Sequence, residues 1–197
     1  LQADRVAALG GGRRDPEIVP FRGDYWQLRP QARHLCRNLI YPVPEPAFPF
    51  LGVHATRRIG SGEVWLGPNA VPALAREGYG RGDLRLGDLA QSLRSRGFQR
   101  LAARHWRMGA LELWRDFSKR GFWASVRRYL PEVAMEDMVP GPSGVRAQAL
   151  DPTGRLVDDF VVEFQGSRIM HVRNAPSPAA TSSLAIGRLI ADKFDPR

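Results

Sequence analysis

The stretch from Arg168 to Phe194 constrains the fold of this 197-residue chain more than any other part. Arg168-Ile169-Met170 closes an apolar run that reads as a buried strand. From Ala179 to Phe194, Leu184, Ile186, Leu189 and Ile190 share one helical face. A strand must therefore pass directly into a helix across the segment His171 to Ser183. Ser177 has the chemistry of an N-cap, and Pro178 suits the first helical position. A helix start offers free N–H donors and a partial positive charge, which favour an anionic ligand. His171, Arg173 and Asn174 fill the join, so two readings stand side by side. One is an ordinary strand-to-helix turn with capping and solvated polar residues; the other is a loop that faces a ligand.

The length suits one domain, or one and part of another, and 43% apolar residues suffice for a core. The single cysteine, Cys36, excludes an internal disulfide framework and fits a reducing compartment or an organelle matrix. No run of about 18 apolar residues occurs. The opening Leu1-Gln2-Ala3-Asp4-Arg5 has neither an initiator Met nor the apolar centre of a signal peptide, and reads as the interior of a longer chain. The net charge of +9 is uneven: Leu84 to Leu130 holds eleven basic and three acidic residues, a local +8. Such a block attracts anionic lipid, acidic metabolites or nucleic acid, or is simply a solvated face. No nucleic-acid partner is expected, because no binding motif or aromatic stacking platform accompanies the charges.

In chain order, a short helix is expected over Ala3 to Leu9, followed by Gly10-Gly11-Gly12 as a flexible turn. That turn lacks the spacing and preceding strand of a phosphate loop. Glu17 to Leu28 reads as two strand segments kinked at Pro20 and Gly23, with Arg22 and Asp24 flanking the glycine. Gly23 marks either a bulge or the close approach of a ligand or another backbone. Asn38 to Pro42 is a short strand, and the prolines from Pro42 to Pro49 impose an extended connection. Leu51 to Thr56 and Glu63 to Leu66 form a hairpin around Gly60-Ser61-Gly62, with Gly67 to Ala70 ending the sheet. Helices are expected over Leu86 to Ser95, Phe98 to Ser118 and Phe122 to Tyr129, and Pro131 to Met138 closes the block. Strands return over Gly144 to Leu150, Leu156 to Phe164 and Arg168 to Val172. Arg146 lies within an apolar strand, where a guanidinium needs a carboxylate. Either a ligand or the chain's own Asp158 or Asp159 can supply it.

Phe21-Arg22-Gly23-Asp24-Tyr25, Ile40 to Pro44, Phe48 to His54 and Trp65 to Ala70 closely resemble segments of the L-2-hydroxyglutarate dehydrogenase family. Gly141 to Asp151 and His171 to Ser183 do so too, and the order holds from about residue 15 to 192. That family lies within the FAD-dependent oxidoreductases of the D-amino-acid oxidase type. The resemblance implies an α+β fold: a mixed, largely antiparallel substrate domain with a helical insertion, plus the C-terminal strand–loop–helix of an FAD-binding domain. Residues 1–16 would be a remnant of the FAD-binding domain, 17–143 the substrate-binding domain with its insertion at 84–138, and 144–197 the return to the FAD-binding domain. The family's glycine fingerprint for the dinucleotide does not occur in this sequence, so full catalysis is not expected of these residues alone.

The resemblance further implies oxidation of L-2-hydroxyglutarate to 2-oxoglutarate with FAD, at the mitochondrial inner membrane. Arg146 would hold a substrate carboxylate, with Arg173, Tyr25 and Asn69 also binding substrate. His171 or His54 would be the base, and spacing does not choose between them. Arg173, Asn174, Ala175, Pro176, Ser177, Pro178, Ala179 and Ser182 would face the flavin, where N–H groups stabilise negative charge. No residue pattern points to a metal or to a particular electron acceptor. Two alternatives remain: a related FAD-dependent oxidase of another 2-hydroxy acid or an amino acid, and a non-catalytic basic module that docks on anionic membrane or on a partner subunit.

Overall fold

The computed structural model describes residues 1–43, 52–166, 168–176 and 179–194. Helix α1 (Ala3–Leu9) leads to β1 (Glu17–Leu28), around which the sheet is built. Strands β2 (Leu39–Ile40), β3 (His54–Arg57), β4 (Val64–Gly67) and β5 (Val71–Pro72) follow. The helical block comprises α2 (Leu86–Arg94), α3 (Arg96–Arg104), α4 (Trp106–Phe117) and α5 (Lys119–Val126). The chain then runs through β6 (Met138–Leu150), β7 (Val161–Gln165), β8 (Ile169–Asn174) and α6 (Ser183–Phe194).

Strand order is β2-β3-β4-β1-β5, with β6 along the other edge of β1, and β7 and β8 form a separate pair. All described ladders are antiparallel, which places the chain in the α+β class. The β1–β6 ladder runs from Glu17 opposite Leu150 to Leu28 opposite Met138. No kink occurs at Pro20. Its carbonyl accepts from Ala73 N on the β5 side, so its missing N–H also lies on that edge and costs the β6 ladder nothing. The one irregularity falls between Asp24 and Trp26. Gly23 meets a close backbone approach: a Cβ there would lie 2.7 Å from Pro68 Cβ and 2.8 Å from the Asn69 carbonyl oxygen.

Other boundaries differ from expectation for local reasons. The sheet does not end at Gly67 to Ala70, because Val71 and Pro72 add β5 against Phe21 and Arg22. The expected helix over 98–118 divides at His105, whose extended-side φ of −116° separates α3 from α4. The strand expected over Leu156 to Phe164 shrinks to β7, with Leu156 bridging only Leu150. β6 is longer than expected because its partner strand is long, and it begins at Met138. α6 begins at Ser183, so Ala179 to Ser182 is a turn; Ser177 and Pro178, the expected cap, lie outside the described residues. Its expected apolar face is not buried, since Leu184 is 89% exposed and Leu189 54%. The connection from Pro44 to Leu51 also lies outside the described residues.

Two apolar clusters fasten the helices to β1. Leu28, Val64, Leu66 and Met138 pack with Phe122, Val126 and Val133 around α5. Val19, Phe21 and Leu150 pack with Leu101 of α3. A buried ionic joint fixes α1: Arg76 donates in bidentate fashion to Asp4, with Nη2–Oδ2 at 2.7 Å, and also to Ile18 O at 2.9 Å. Burial alone would raise the Asp4 carboxyl, but the Arg76 and Ile18 N–H bonds and the Arg76 charge hold it below its ordinary value. Asp4→Ala leaves a buried guanidinium unpaired and should destabilise the fold by about 3–5 kcal/mol. The guanidinium-unfolding midpoint reads this loss, and the double change Asp4→Leu with Arg76→Met should recover most of it.

Candidate active site

Hydrogen bonding in the sheet brings the site together before any side chain is considered. β2 pairs with β3 through Leu39–Thr56 and Ile40–Ala55, so the next step places Tyr41 beside His54. The two rings stack, with centroids 4.3 Å apart and planes 16° from parallel. His54 is buried, and its Nδ1 lies 3.1 Å from the Gly52 carbonyl oxygen. A carbonyl only accepts, so Nδ1 carries the proton and neutral His54 keeps its lone pair on Nε2. Burial pushes the imidazole below its ordinary value; the Gly52 bond opposes this, and the positive charge of Arg146 adds to it. His54 is therefore a neutral acceptor at physiological pH.

Arg146 stands on β6 opposite Phe21 and is half-buried. No carboxylate pairs with it among the described residues, and neither Asp158 nor Asp159 serves. A half-buried guanidinium in a strand, whose charge is felt at a neutral imidazole, is suited to a carboxylate from outside the chain.

His171 is placed elsewhere, on β8. Its Nε2 lies 2.9 Å from Gln165 Oε1, which removes that nitrogen from base duty in this arrangement. The ring rests on the glycine turn, where a Cβ at Gly10 would come within 2.9 Å of it and one at Gly12 within 3.1 Å. Gly10-Gly11-Gly12 is thus a seat for His171 and Gln165 rather than a loose turn, and Gly11 has φ +83°.

Arg173 and Asn174 turn inward. Arg173 is 2% exposed; it donates to Asp15 O, to Pro16 O at 3.0 Å and to Glu163 Oε2 at 3.2 Å, leaving its buried Nε without a partner. Asn174 Nδ2 donates to Val157 O at 2.8 Å and Asp159 O at 2.9 Å. Asn69 is similarly engaged, its Oδ1 accepting from Asp24 N and its Nδ2 donating to Asp116, both at 2.6 Å. Tyr25 remains available. It packs against Trp65 with ring centroids 5.4 Å apart and lines a cleft of about 340 Å³ with Asp24, Tyr79, Arg81 and Ser143.

Beside this cleft lies a charged network that sequence reasoning missed. Arg22 bridges Asp24 at 3.0 Å and Asp116 at 3.0 Å, and Arg81 reaches Asp24 at 3.0 Å. Burial pushes the Asp116 carboxyl up; the Asn69 bond lowers it and the nearby Asp24 raises it further. Arg22 and Asp24 were visible around Gly23, whereas Asp116 looked like one more charge on an exposed helix.

For FAD, β8, the turn through Ala179 to Ser182 and α6 supply a strand–turn–helix. Ala175 and Pro176 precede the turn, and the first N–H groups of α6 are donors of the type that could face the carbonyl oxygens along a flavin edge. The residues of this chain fit that edge and not the diphosphate, since no G-x-G-x-x-G opens a helix in the sequence.

Comparison with known proteins identifies the family. The chain is 54% identical over 98% of its length to the L-2-hydroxyglutarate dehydrogenase, mitochondrial, of Nematostella vectensis, covering 43% of that protein. It is 46% identical over 100% of its length to the Homo sapiens protein of that name, again covering 43% of it. The L-2-hydroxyglutarate dehydrogenase of Indibacter alkaliphilus is 46% identical over 98% of the chain, which covers 48% of it. The chain therefore spans less than half the length of these relatives. The protein family described as FAD dependent oxidoreductase matches residues 1–193, and the chain belongs to it.

Proposed function

We propose that the whole protein oxidises L-2-hydroxyglutarate to 2-oxoglutarate with FAD, and that this chain supplies the substrate-facing part of the site. The observation that carries this reading is a guanidinium without a carboxylate, Arg146, whose charge is felt at neutral His54 with its open Nε2. The names of the relatives supply the substrate. Residues 17–143 are read as the substrate-binding unit and 144–197 as the return to the FAD-binding domain, with β6 running through both. FAD, when bound, supplies the two-electron oxidant for the substrate C2–H bond. Arg146 binds one carboxylate through its planar fork and sets the orientation of C2. His54 Nε2 accepts the hydroxyl proton as C2 is oxidised. Tyr25, which lines the cleft with Arg81, is read as a further substrate contact.

Arg146→Lys should raise KM for L-2-hydroxyglutarate about 10- to 100-fold with a smaller change in kcat, because an ammonium loses the bidentate geometry. An unchanged KM would overturn the assignment. His54→Asn should lower kcat by about 10²–10⁴-fold. In the wild type the acid limb of kcat/KM should fall below 6.5, the ordinary imidazole value, because His54 is held neutral. The folded state prefers the neutral ring, so its contribution to stability is full above that value and is lost as pH falls through the lowered one. Histidine titration by NMR checks the direction.

The same reading places the protein in the mitochondrion, as the names of several relatives have it, on the inner membrane as a peripheral partner. α4 supports a lipid contact: Trp106 is 63% exposed, Trp114 55% and Phe117 75%, within the +8 segment. Vesicles rich in anionic lipid should sediment the protein at low salt and release it as salt rises, whereas neutral vesicles should not. Equal sedimentation with both would remove the electrostatic role of this face.

A further inference from the structure

We propose that Tyr41 is a positioning residue that holds the His54 ring in the tautomer and orientation needed for proton acceptance. The inference deepens the reading of His54 given above and rests on it.

Three constraints meet on the imidazole. The β2–β3 register sets the relative position of the two residues, since Ile40–Ala55 is followed directly by Tyr41 and His54. The Gly52 carbonyl, 3.1 Å from Nδ1, fixes one edge of the ring. The Tyr41 ring, 4.3 Å away and 16° from parallel, fixes its plane. Tyr41 is itself anchored, because its hydroxyl lies 3.2 Å from Thr56 Oγ1, two residues along β3 on the same side as His54. A tyrosine that is 48% exposed would otherwise be free to change rotamer. Without the stack, the imidazole can turn about its terminal torsion. A half-turn exchanges the two ring edges, and Nδ1 then loses the acceptor that defines the tautomer.

The charged and titratable groups facing His54 among the described residues are few. Tyr41 follows β2, and Arg146 on β6 acts through its charge. Neither is a carboxylate, so among the described residues the stack and the carbonyl are what orient the ring. This differs from arrangements in which an aspartate sets the tautomer: a neutral carbonyl favours the protonated ring only enough to oppose part of the effect of burial.

The test uses the whole protein with FAD and selective ¹⁵N labelling of histidine. At alkaline pH, wild-type His54 should show the Nδ1–H tautomer. Tyr41→Leu should convert this signal to a mixture with Nε2–H, lower kcat about tenfold and leave KM within about twofold. It should also move the acid limb of the rate profile back toward the ordinary histidine value as water reaches the ring. Tyr41→Phe keeps the stack and should retain the tautomer; combined with Thr56→Val, it tests the anchor without removing the ring. If Tyr41→Leu leaves both the tautomer signal and the acid limb unchanged, the proposal is overturned, even if activity falls. Loss of base function is read separately: a fully active His54→Asn would remove His54 as the acceptor, and with it the functional meaning of any tautomer change.

Discussion

The ladder between β1 and β6 joins residues 17–28 to residues 138–150, and the rest of the chain depends on that long closure. Bringing such distant segments together costs loop entropy that grows only slowly with length. The return is a full-length pair of strands whose inner residues enter both apolar clusters. The hairpin, the helical block and their connections are all inserted within this closure. Arg146 reaches the site because β6 occupies one edge of β1, and His54 reaches it because β4 and then β3 occupy the other.

Charge placement follows a simple physical division. Arg22, Arg76 and Arg173 are buried, and each has a carboxylate within salt-bridge distance. That is how a low-dielectric interior accommodates guanidinium groups. Arg146 is half-buried and has no carboxylate within salt-bridge distance among the described residues, and its charge adds to the burial that holds His54 below the ordinary imidazole value. Structural arginines and a candidate ligand-binding arginine are thus separated by what faces them rather than by residue type.

Much of this was legible in the amino-acid order. The hairpin was visible because glycines at 60 and 62 mark a reversal, and both adopt positive φ. Helix α1 was expected at Ala3 to Leu9, where it forms, and the α+β class followed from the family resemblance. β5 was not, because two residues including a proline carry no periodicity. The choice between His54 and His171 was also invisible, as each is a histidine in an apolar strand. Tertiary packing gives them different surroundings, a glycine seat and Gln165 for His171 and a tyrosine stack for His54. The residues alone left the Arg173-Asn174 pair open between an ordinary turn and a ligand-facing loop, and the family resemblance implied the latter. The interior claims them because Asp15, Pro16, Val157 and Asp159 present carbonyls that need donors.

The network of Arg22, Asp24, Asp116 and Arg81 balances two positive against two negative charges across β1, α4 and the loop holding Arg81. Replacing any single member leaves a charge beside the cleft without its counterpart. Exchanging both an arginine and the carboxylate it meets preserves neutrality. The cost of a substitution at any of these four positions therefore depends on the state of the other three, so single changes here are not additive. The arrangement couples helix α4 energetically to the central strand.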